Sequence, residues 1–239
     1  MKKIFSVVFL ITLYLASSAM SIDDVLERVE KNMVRSNATY LSTMKIFSED
    51  GDRSMQMKMY VKDEKNVLVE VIESSEGGKS RFLKKNDAMW LFIPSAGRSV
   101  LIKGHMLKEG FMGSNFSYED ISENRKLRDI YEITLEEDSL YYILTMKAKT
   151  DDAPYKLKKS YVMKDAFLPK KEEIYSSSNR LLKEFIIEDY KEMNGINVPT
   201  RILMNDLLQK ENYTEMTYDK IDLTTKIPDS YFTKAYLER

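Results

Sequence analysis

Apolar and polar residues alternate along most of the chain, a pattern typical of β-strands. From residue 40 onward, β-branched and aromatic residues take every second position in segments that short turn sequences separate. Residues 40–48 and 53–62, for example, flank Asp50 and Gly51, a residue pair expected at the tip of a hairpin. We predict about eleven consecutive antiparallel strands, and so many strands with short turns require a strongly curved sheet, a barrel or a sandwich.

Helical periodicity is found at the two ends of this β-rich region. Between residues 22 and 33, apolar side chains recur at helical spacing, and Asp23 and Asp24 occupy the first turn, where the helix dipole favours acidic residues. A second, short helix is predicted after Pro228, a residue suited to the first helical turn. These helices and an apolar central loop favour a single domain in which one side of a curved sheet is covered.

The central loop covers residues 104–117. It carries five large apolar side chains: Met106, Leu107, Phe111, Met112 and Phe116. A loop this apolar must pack on an apolar surface or cover one. Its glycines at positions 104, 110 and 113 permit backbone rearrangement. Two interpretations stay open: the loop is a movable lid over a cavity, or it is a fixed plug at one end of the sheet.

A row of methionines marks one face of a predicted strand, where Met55, Met57 and Met59 alternate with polar residues. Flexible, polarisable thioether side chains can conform to ligands of variable shape, although an ordinary core-facing strand would show the same alternation. Neighbouring strands also have long apolar faces, so the curved sheet needs either a thick helical plug or a ligand. We predict a hydrophobic cavity with a wall formed by Met55, Met57, Met59, Val69, Met89, Leu91, Ile93 and Leu144.

The first 21 residues have the pattern of a secretory signal peptide. Lys2 and Lys3 precede a short apolar run, which is followed by small residues. Cleavage is expected before Ile22, with a competing site after Ala19, and an uncleaved membrane anchor is the alternative interpretation. The mature domain would then span residues 22–239, and the protein would be periplasmic.

Composition and charge narrow the functional classes. The chain of 239 residues contains no cysteine, which excludes disulfides and the attachment of a lipid through a cysteine. Its 37 basic and 38 acidic residues nearly balance, so the charge does not indicate a protein that binds nucleic acid. His105 is the sole histidine, and the sequence lacks a nucleophile elbow and a phosphate-binding loop. We therefore expect neither an enzyme nor a metal or cofactor site.

A cluster of lysines follows three consecutive predicted strands. It consists of Lys147, Lys149, Lys156, Lys158, Lys159, Lys170 and Lys171. One explanation is a solvated outer face whose lysines prevent edge-to-edge pairing with other molecules. The other explanation is a docking patch for anionic lipid headgroups or for an acidic partner. The sequence leaves both explanations open.

Three stretches carry a resemblance to a known family. They are MWLFIPSAGR at residues 89–98, FMGSNFSYEDI at residues 111–121 and IPDSYFTKAYLER at residues 227–239. Together they resemble the outer-membrane lipoprotein-sorting, or LolA-like, proteins of diderm bacteria. The resemblance implies a mainly β fold with flanking helices: a curved antiparallel sheet that forms an open half-barrel, lidded by the N-terminal and C-terminal helices and the central loop.

The same resemblance implies a function. It suggests a monomeric periplasmic carrier that shelters acyl chains of lipoproteins or free lipids, with an inner-membrane transporter and an outer-membrane acceptor as partners. For the lid-latching arginine of that family, Arg98 is the nearest candidate by position. Two alternatives stay open: a lipid-binding accessory of an inner-membrane export pump, and a ligand-sensing regulatory module without a transport role.

Overall fold

The computed structural model of the protein describes residues 20–33, 36–123, 125–209 and 212–239. The predicted signal peptide at residues 1–21 lies outside the described residues except for its last two positions. The described helices are α1 (Ile22–Met33), α2 (Tyr118–Ser122), α3 (Leu127–Ile130) and α4 (Lys234–Leu237), with short 3-10 helices at Pro94–Ala96, Gly104–Lys108, Phe111–Gly113 and Asp229–Phe232. None of these helices is long and apolar enough to cross a membrane.

The strands in the described ranges number thirteen and form one antiparallel sheet. They are β1 (Ala38–Phe47), β2 (Arg53–Asp63), β3 (Asn66–Ser74), β4 (Arg81–Lys85), β5 (Ala88–Ile93), β6 (Arg98–Ile102), β7 (Tyr131–Glu137), β8 (Tyr141–Ala148), β9 (Leu157–Met163), β10 (Pro169–Tyr175), β11 (Leu181–Met193), β12 (Ile196–Asp206) and β13 (Tyr213–Asp222). The expected count of about eleven is corrected to thirteen. Segments of only five residues, such as β4 and β6, also pair with their neighbours along their length.

The chain enters this sheet in the middle. The strand order is β6-β5-β4-β3-β2-β1-β13-β12-β11-β10-β9-β8-β7, so β1 to β6 run outward to one edge and β7 to β13 return from the other. At the centre β1 pairs with β13, and Thr43 lies opposite Thr217. Residues 103–130 connect the two edges, and the sheet stays open because β6 and β7 do not pair with each other.

Contacts made by the central loop show that the sheet is strongly curved. Phe111 in the loop meets Phe82 on β4, and Phe116 meets Phe185 on β11, each with 6.1 Å between ring centroids. In a flat sheet, β4 and β11 would lie about 29 Å apart, because they are six strand positions from each other. The Phe111 N–H nevertheless donates to the Phe116 carbonyl at 2.6 Å. The sheet must therefore curl around the central loop.

The C-terminal helix packs on the convex face of the sheet. Phe232 and Leu237 are buried in one cluster with Leu68 of β3 and Leu83 of β4. Side chains alternate between the two faces of a strand, and the neighbour of Leu83, Phe82, belongs to the cluster on the concave face. The expectation that the C-terminal helix lids the cavity is therefore wrong, since its partners are the outward-facing set.

The N-terminal helix α1 covers the opposite, concave face at the end formed by β7 to β9. Val25 and Val29 are buried in one cluster with Leu144 of β8 and Val162 of β9. Cross-strand pairs through β9 and β10 place Leu144 on the same face as Phe185. The amphipathic helix thus buries its apolar stripe on the sheet, as its pattern predicts.

Candidate functional site

A cavity of about 320 Å³ lies on the concave face, between the part covered by α1 and the part covered by the central loop. Its volume falls at the lower end of the range of ligand pockets. The strands β1 and β10 to β13 supply an apolar floor that includes Tyr40, Ile174, Phe185, Ile187, Val198, Ile202, Met204, Met216 and Tyr218. Ile121 of α2 and Leu127 and Ile130 of α3 contribute to the opposite side.

Of the predicted cavity wall, the structure places one residue, Met59, in the lining. The remaining residues on β2 to β5 lie in the cluster packed with the central loop: Met55, Met57, Val69, Met89 and Leu91. Met57 and Val69 are fully buried there. Leu144 is fully buried under α1, and Ile93 is half-buried at the end of β5. The methionine row therefore faces the concave side, mostly beneath the central loop.

The predicted lid residues fill one half of the concave face. Phe111 is buried against Phe82 and Tyr118, with 5.3 Å between the centroids of Phe111 and Tyr118. Partly buried side chains pack on the same cluster: Met106, Leu107 and Met112. Phe116 alone among the five lines the cavity. The loop thus occupies the face over β2 to β5 and borders the cavity with its C-terminal part.

Two glycines are required by the folded shape of this loop. At Gly110, a Cβ atom would lie 2.3 Å from the carbonyl oxygen of Ser114, a separation that the two atoms cannot adopt. At Gly113, the backbone has φ = +75°, and a Cβ would lie 3.0 Å from guanidinium nitrogens of Arg53. In this conformation, the two glycines provide close backbone approach and a left-handed turn.

Three side chains from separate strands hold the tip of the loop. Nη2 of Arg53 on β2 donates to the Gly113 carbonyl at 3.2 Å, and Nζ of Lys183 on β11 donates to the Asn115 carbonyl at 2.7 Å. Thr214 on β13 exchanges two hydrogen bonds with Asn115. The central loop is therefore tied to both halves of the sheet.

The arginine that meets the loop is not the one that sequence position suggests. Arg98 is exposed at the start of β6, whereas Arg53 bonds to Gly113, 60 residues further along the chain. No local pattern connects residues so far apart, and only the curvature of the sheet brings them together.

An ion pair lies inside the cavity lining. Nζ of Lys158 is 2.8 Å from Oε2 of Glu172, and the two side chains are only 12% and 11% exposed. Burial opposes protonation of Lys158, but the charge and hydrogen bond of Glu172, together with Tyr131 and Asp120, outweigh it, and the pKa of Lys158 lies above its ordinary value. A solvated outer face is therefore the wrong explanation for Lys158, although Lys147 and Lys149 are exposed.

A second polar group of the lining is built around Asp120 in α2. Ser117 caps this helix, and its N–H donates to Oδ2 of Asp120 at 2.8 Å. The hydroxyl of Tyr155 donates to the same oxygen at 2.7 Å. Burial, and next the charge of Asp120, raise the pKa of Tyr155 well above its ordinary value, so the hydroxyl keeps its proton at neutral pH.

A second ion pair, between Glu123 and Arg125, also lies in the lining, where Nη2 of Arg125 is 2.6 Å from Oε2 of Glu123. Nη1 of the same guanidinium lies 3.0 Å from Oδ2 of Asp152. The cavity thus combines an apolar floor with two ion pairs and one hydrogen-bonded carboxylate, an arrangement suited to holding a largely apolar molecule.

Sequence reasoning missed most of the lining because the lining comes from the C-terminal strands. The alternation of apolar residues in β12 and β13 was visible, for example at Ile202 and Met204. The pairing that sets these strands beside β1 joins residues such as Thr43 and Thr217, which are 174 positions apart. Alternation identifies a strand, but it does not identify the strand's neighbours.

The fold is similar to that of several solved proteins. A LolA superfamily protein from Nitrosomonas europaea matches with a TM-score of 0.76 and 23% identity, over 91% of this chain and 100% of that one. A domain from Vibrio parahaemolyticus, described as outer membrane lipoprotein-sorting, matches with a TM-score of 0.77 and 20% identity, over 91% and 99% of the two chains. A DUF1329 family protein from Desulfovibrio piger matches with a TM-score of 0.77 and 21% identity, over 90% and 96%.

These likenesses confirm the predicted resemblance to the LolA-like proteins at the level of the fold. No curated protein matches the chain significantly. One family model, described as "Uncharacterized protein", matches residues 63–239, which is more than half of the chain. The chain therefore belongs to the family that this model describes, and its fold is LolA-like.

Proposed function

We propose that this protein is a periplasmic, non-enzymatic carrier of acyl chains. Its ligand would be the lipid part of a lipoprotein or a free lipid, held in the cavity on the concave face and passed toward the outer membrane. The observation that carries this proposal is the cavity itself, with a volume of about 320 Å³ and a largely apolar floor. An apolar pocket with few polar groups is the usual form of a site for a hydrophobic ligand.

Transfer energetics explain why such a carrier needs a cavity. Each methylene group removed from water contributes about 0.8 kcal/mol, so a chain of about sixteen carbons in water costs on the order of 12 kcal/mol. A carrier has to give back most of that free energy at release, which favours a pocket that adapts to its content. Met59, Met204 and Met216 line the cavity, and methionine side chains are the most adaptable apolar groups.

The signal-peptide pattern supports the proposed periplasmic location, and the fold likeness supports the proposed partners. Export would remove residues 1–21 and leave a mature domain of residues 22–239. An inner-membrane transporter would load the carrier, and an outer-membrane acceptor would receive the acyl chains. The fold likeness to a domain described as outer membrane lipoprotein-sorting supports this choice. Intact mass of the protein recovered from the periplasm tests the address, and a full-length species found only in membranes would contradict it.

Filling the cavity tests the binding role directly. Ile202 lines the cavity and is buried, so Ile202→Trp should occupy volume that a ligand needs. We expect the affinity for a fluorescent fatty acid to fall at least about tenfold. A loss of about 1.4 kcal/mol in binding free energy raises the dissociation constant by that factor.

Leu101→Trp is the matched control, because Leu101 is exposed on the edge strand β6. It should leave the affinity unchanged. Circular dichroism and a cooperative thermal melt establish that both variants are folded. The proposal fails if the parent protein binds no acyl probe, or if a folded Ile202→Trp protein binds as tightly as the parent.

A further inference from the structure

Among the residues that the structure describes, four of the five charged side chains that line the cavity form ion pairs, and the fifth does not. The five are Asp120, Glu123, Arg125, Lys158 and Glu172. Both cations already have carboxylate partners, Lys158 with Glu172 at 2.8 Å and Arg125 with Glu123 at 2.6 Å. Asp120 instead accepts hydrogen bonds from neutral donors, the Tyr155 hydroxyl and the Ser117 N–H. Within the described part of the chain, Asp120 forms no ion pair, although its charge also favours the protonated form of Lys158. The described lining thus contains three carboxylates and only two cations.

Aromatic rings line the same cavity. Seven aromatic residues line the cavity: Tyr40, Phe116, Tyr131, Tyr155, Phe185, Tyr190 and Tyr218. The face of an aromatic ring attracts a cation within about 6 Å, and quaternary ammonium groups are bound in this way. One such contact already exists in the lining, where Nζ of Lys158 lies 5.6 Å from the centre of the Tyr131 ring. The polar part of the cavity therefore has the composition of a site for a positively charged group.

The volume limits the apolar part of the ligand. A cavity of about 320 Å³ holds roughly ten groups of the size of a water molecule, which takes about 30 Å³. That is enough for one chain of about ten to twelve heavy atoms. Two or three long acyl chains would need the central loop to leave its place over β2 to β5.

We propose that this cavity selects a single-chain amphiphile with a cationic, ammonium-type headgroup, with Asp120 as the counter-ion. The inference deepens the proposed carrier function and rests on it. A free carboxylate would meet the charge of Asp120 and would find both cations engaged, so it would have to break an existing ion pair to gain a partner. An ammonium headgroup is attracted by the carboxylate of Asp120 and by the faces of the tyrosine rings, and it breaks no existing ion pair.

Three probes with the same twelve-carbon chain separate the contribution of the headgroup to affinity from that of the chain. They are dodecyltrimethylammonium, the uncharged dodecyldimethylamine oxide, and dodecanoate. Isothermal titration calorimetry at pH 8, below the micelle concentration of each probe, gives the dissociation constants. We expect the ammonium probe to bind the parent protein at least about tenfold more tightly than dodecanoate, with the amine oxide in between.

Asp120→Asn keeps the shape and the hydrogen-bond acceptor but removes the charge. We expect it to weaken binding of the ammonium probe at least about fivefold and to leave the amine oxide unchanged. Asp165→Asn, which removes an exposed charge in the turn after β9, is the matched control and should change neither affinity.

The outcomes distinguish this inference from the carrier function on which it rests. If dodecanoate binds as tightly as the ammonium probe, or more tightly, the headgroup proposal is overturned while acyl binding stands. If Asp120→Asn leaves the ammonium affinity unchanged, the role of Asp120 is overturned. If none of the three probes binds, the carrier function itself fails. The ranking of the probes on the parent protein decides the question even if the Asp120→Asn protein does not fold.

Discussion

Thr214 and Asn115, which are 99 positions apart, exchange two hydrogen bonds in the interior of the protein. The Asn115 N–H donates to the Thr214 hydroxyl at 3.0 Å, and that hydroxyl donates to Oδ1 of Asn115 at 2.8 Å. Thr214 is fully buried and Asn115 is 9% exposed. This single contact ties the tip of the central loop to β13, one of the two strands at the middle of the sheet.

Replacing Thr214 by Val should test how firmly this contact holds the loop. The variant keeps the size of the side chain but leaves the N–H and Oδ1 of Asn115 buried without partners. We expect the free energy of unfolding to fall by about 1–3 kcal/mol, measured by urea denaturation. Thr134→Val, at an exposed position of β7, is the control and should change stability by less than about 0.5 kcal/mol. Equal effects of the two substitutions would contradict this role for Thr214.

Hydrogen exchange should show that the tip of the central loop is a fixed plug. Backbone hydrogen bonds, such as the one that the Phe111 N–H donates to the Phe116 carbonyl, close the tip on itself. Arg53 and Lys183 bind it from outside. We expect the amides of residues 111–117 to exchange slowly both with and without an acyl ligand. Fast exchange in one state and slow exchange in the other would instead identify a lid.

Glu119 should make the stability of the protein depend on pH. Burial raises the pKa of this carboxyl to about 7, although Lys108 opposes the shift, and its Oε2 has no hydrogen-bond partner among the described residues. The stabilising contribution of the neutral carboxyl is complete below its ordinary value of 4.5 and is lost as pH rises to about 7. Unfolding free energies at several pH values should therefore decrease across this interval.

The variant Glu119→Gln should remove this dependence, because an amide stays neutral throughout. We expect it to gain up to about 3 kcal/mol relative to the parent between pH 4.5 and 8. Glu136→Gln, at an exposed position of β7, should follow the parent at every pH. Parallel pH profiles for the parent and the Glu119→Gln protein would show that Glu119 is solvated.

Breaking the buried ion pair of the cavity should cost more stability than replacing both of its side chains by apolar ones. Lys158→Met leaves the carboxylate of Glu172 without a partner, and we expect a loss of about 3–5 kcal/mol of stability. Adding Glu172→Leu removes that charge, so the double variant should recover most of the loss. A double-mutant cycle from denaturation measurements gives the coupling between the two side chains. Additive effects would mean that the pair is solvated.

The C-terminal helix should stabilise the protein without taking part in binding. Leu237 is fully buried on the convex face, so Leu237→Ala should lower the free energy of unfolding by about 2–5 kcal/mol. Its affinity for an acyl probe should equal that of the parent at a temperature where both are folded. Leu140→Ala, at an exposed position, is the stability control. A lower affinity of the folded Leu237→Ala protein would show that the C-terminal helix takes part in binding.

The sequence predicts the local structure well and the cavity poorly, for a physical reason. Alternation along a strand assigns faces, so the inward direction of Met57 and Leu91 was predictable. The particular contacts on that face were not, since Phe82 and Phe111 lie on different elements, and alternation within a strand does not indicate which loop residue packs on it. The same limit applies to the C-terminal helix, whose amphipathic pattern does not indicate which face of the sheet it joins.

The central seam between β1 and β13 has a consequence for the order of folding. Each half of the sheet is a meander built from hairpins, whereas the seam joins residues such as Thr43 and Thr217, 174 positions apart. Closing a loop of that length costs roughly 4–5 kcal/mol of chain entropy before any contact forms. We therefore expect the two meanders to form first and the seam last, as in other proteins dominated by distant contacts. The central loop would then be trapped between the halves at the final step, so an acyl chain present during folding would compete with Phe111 for the same surface.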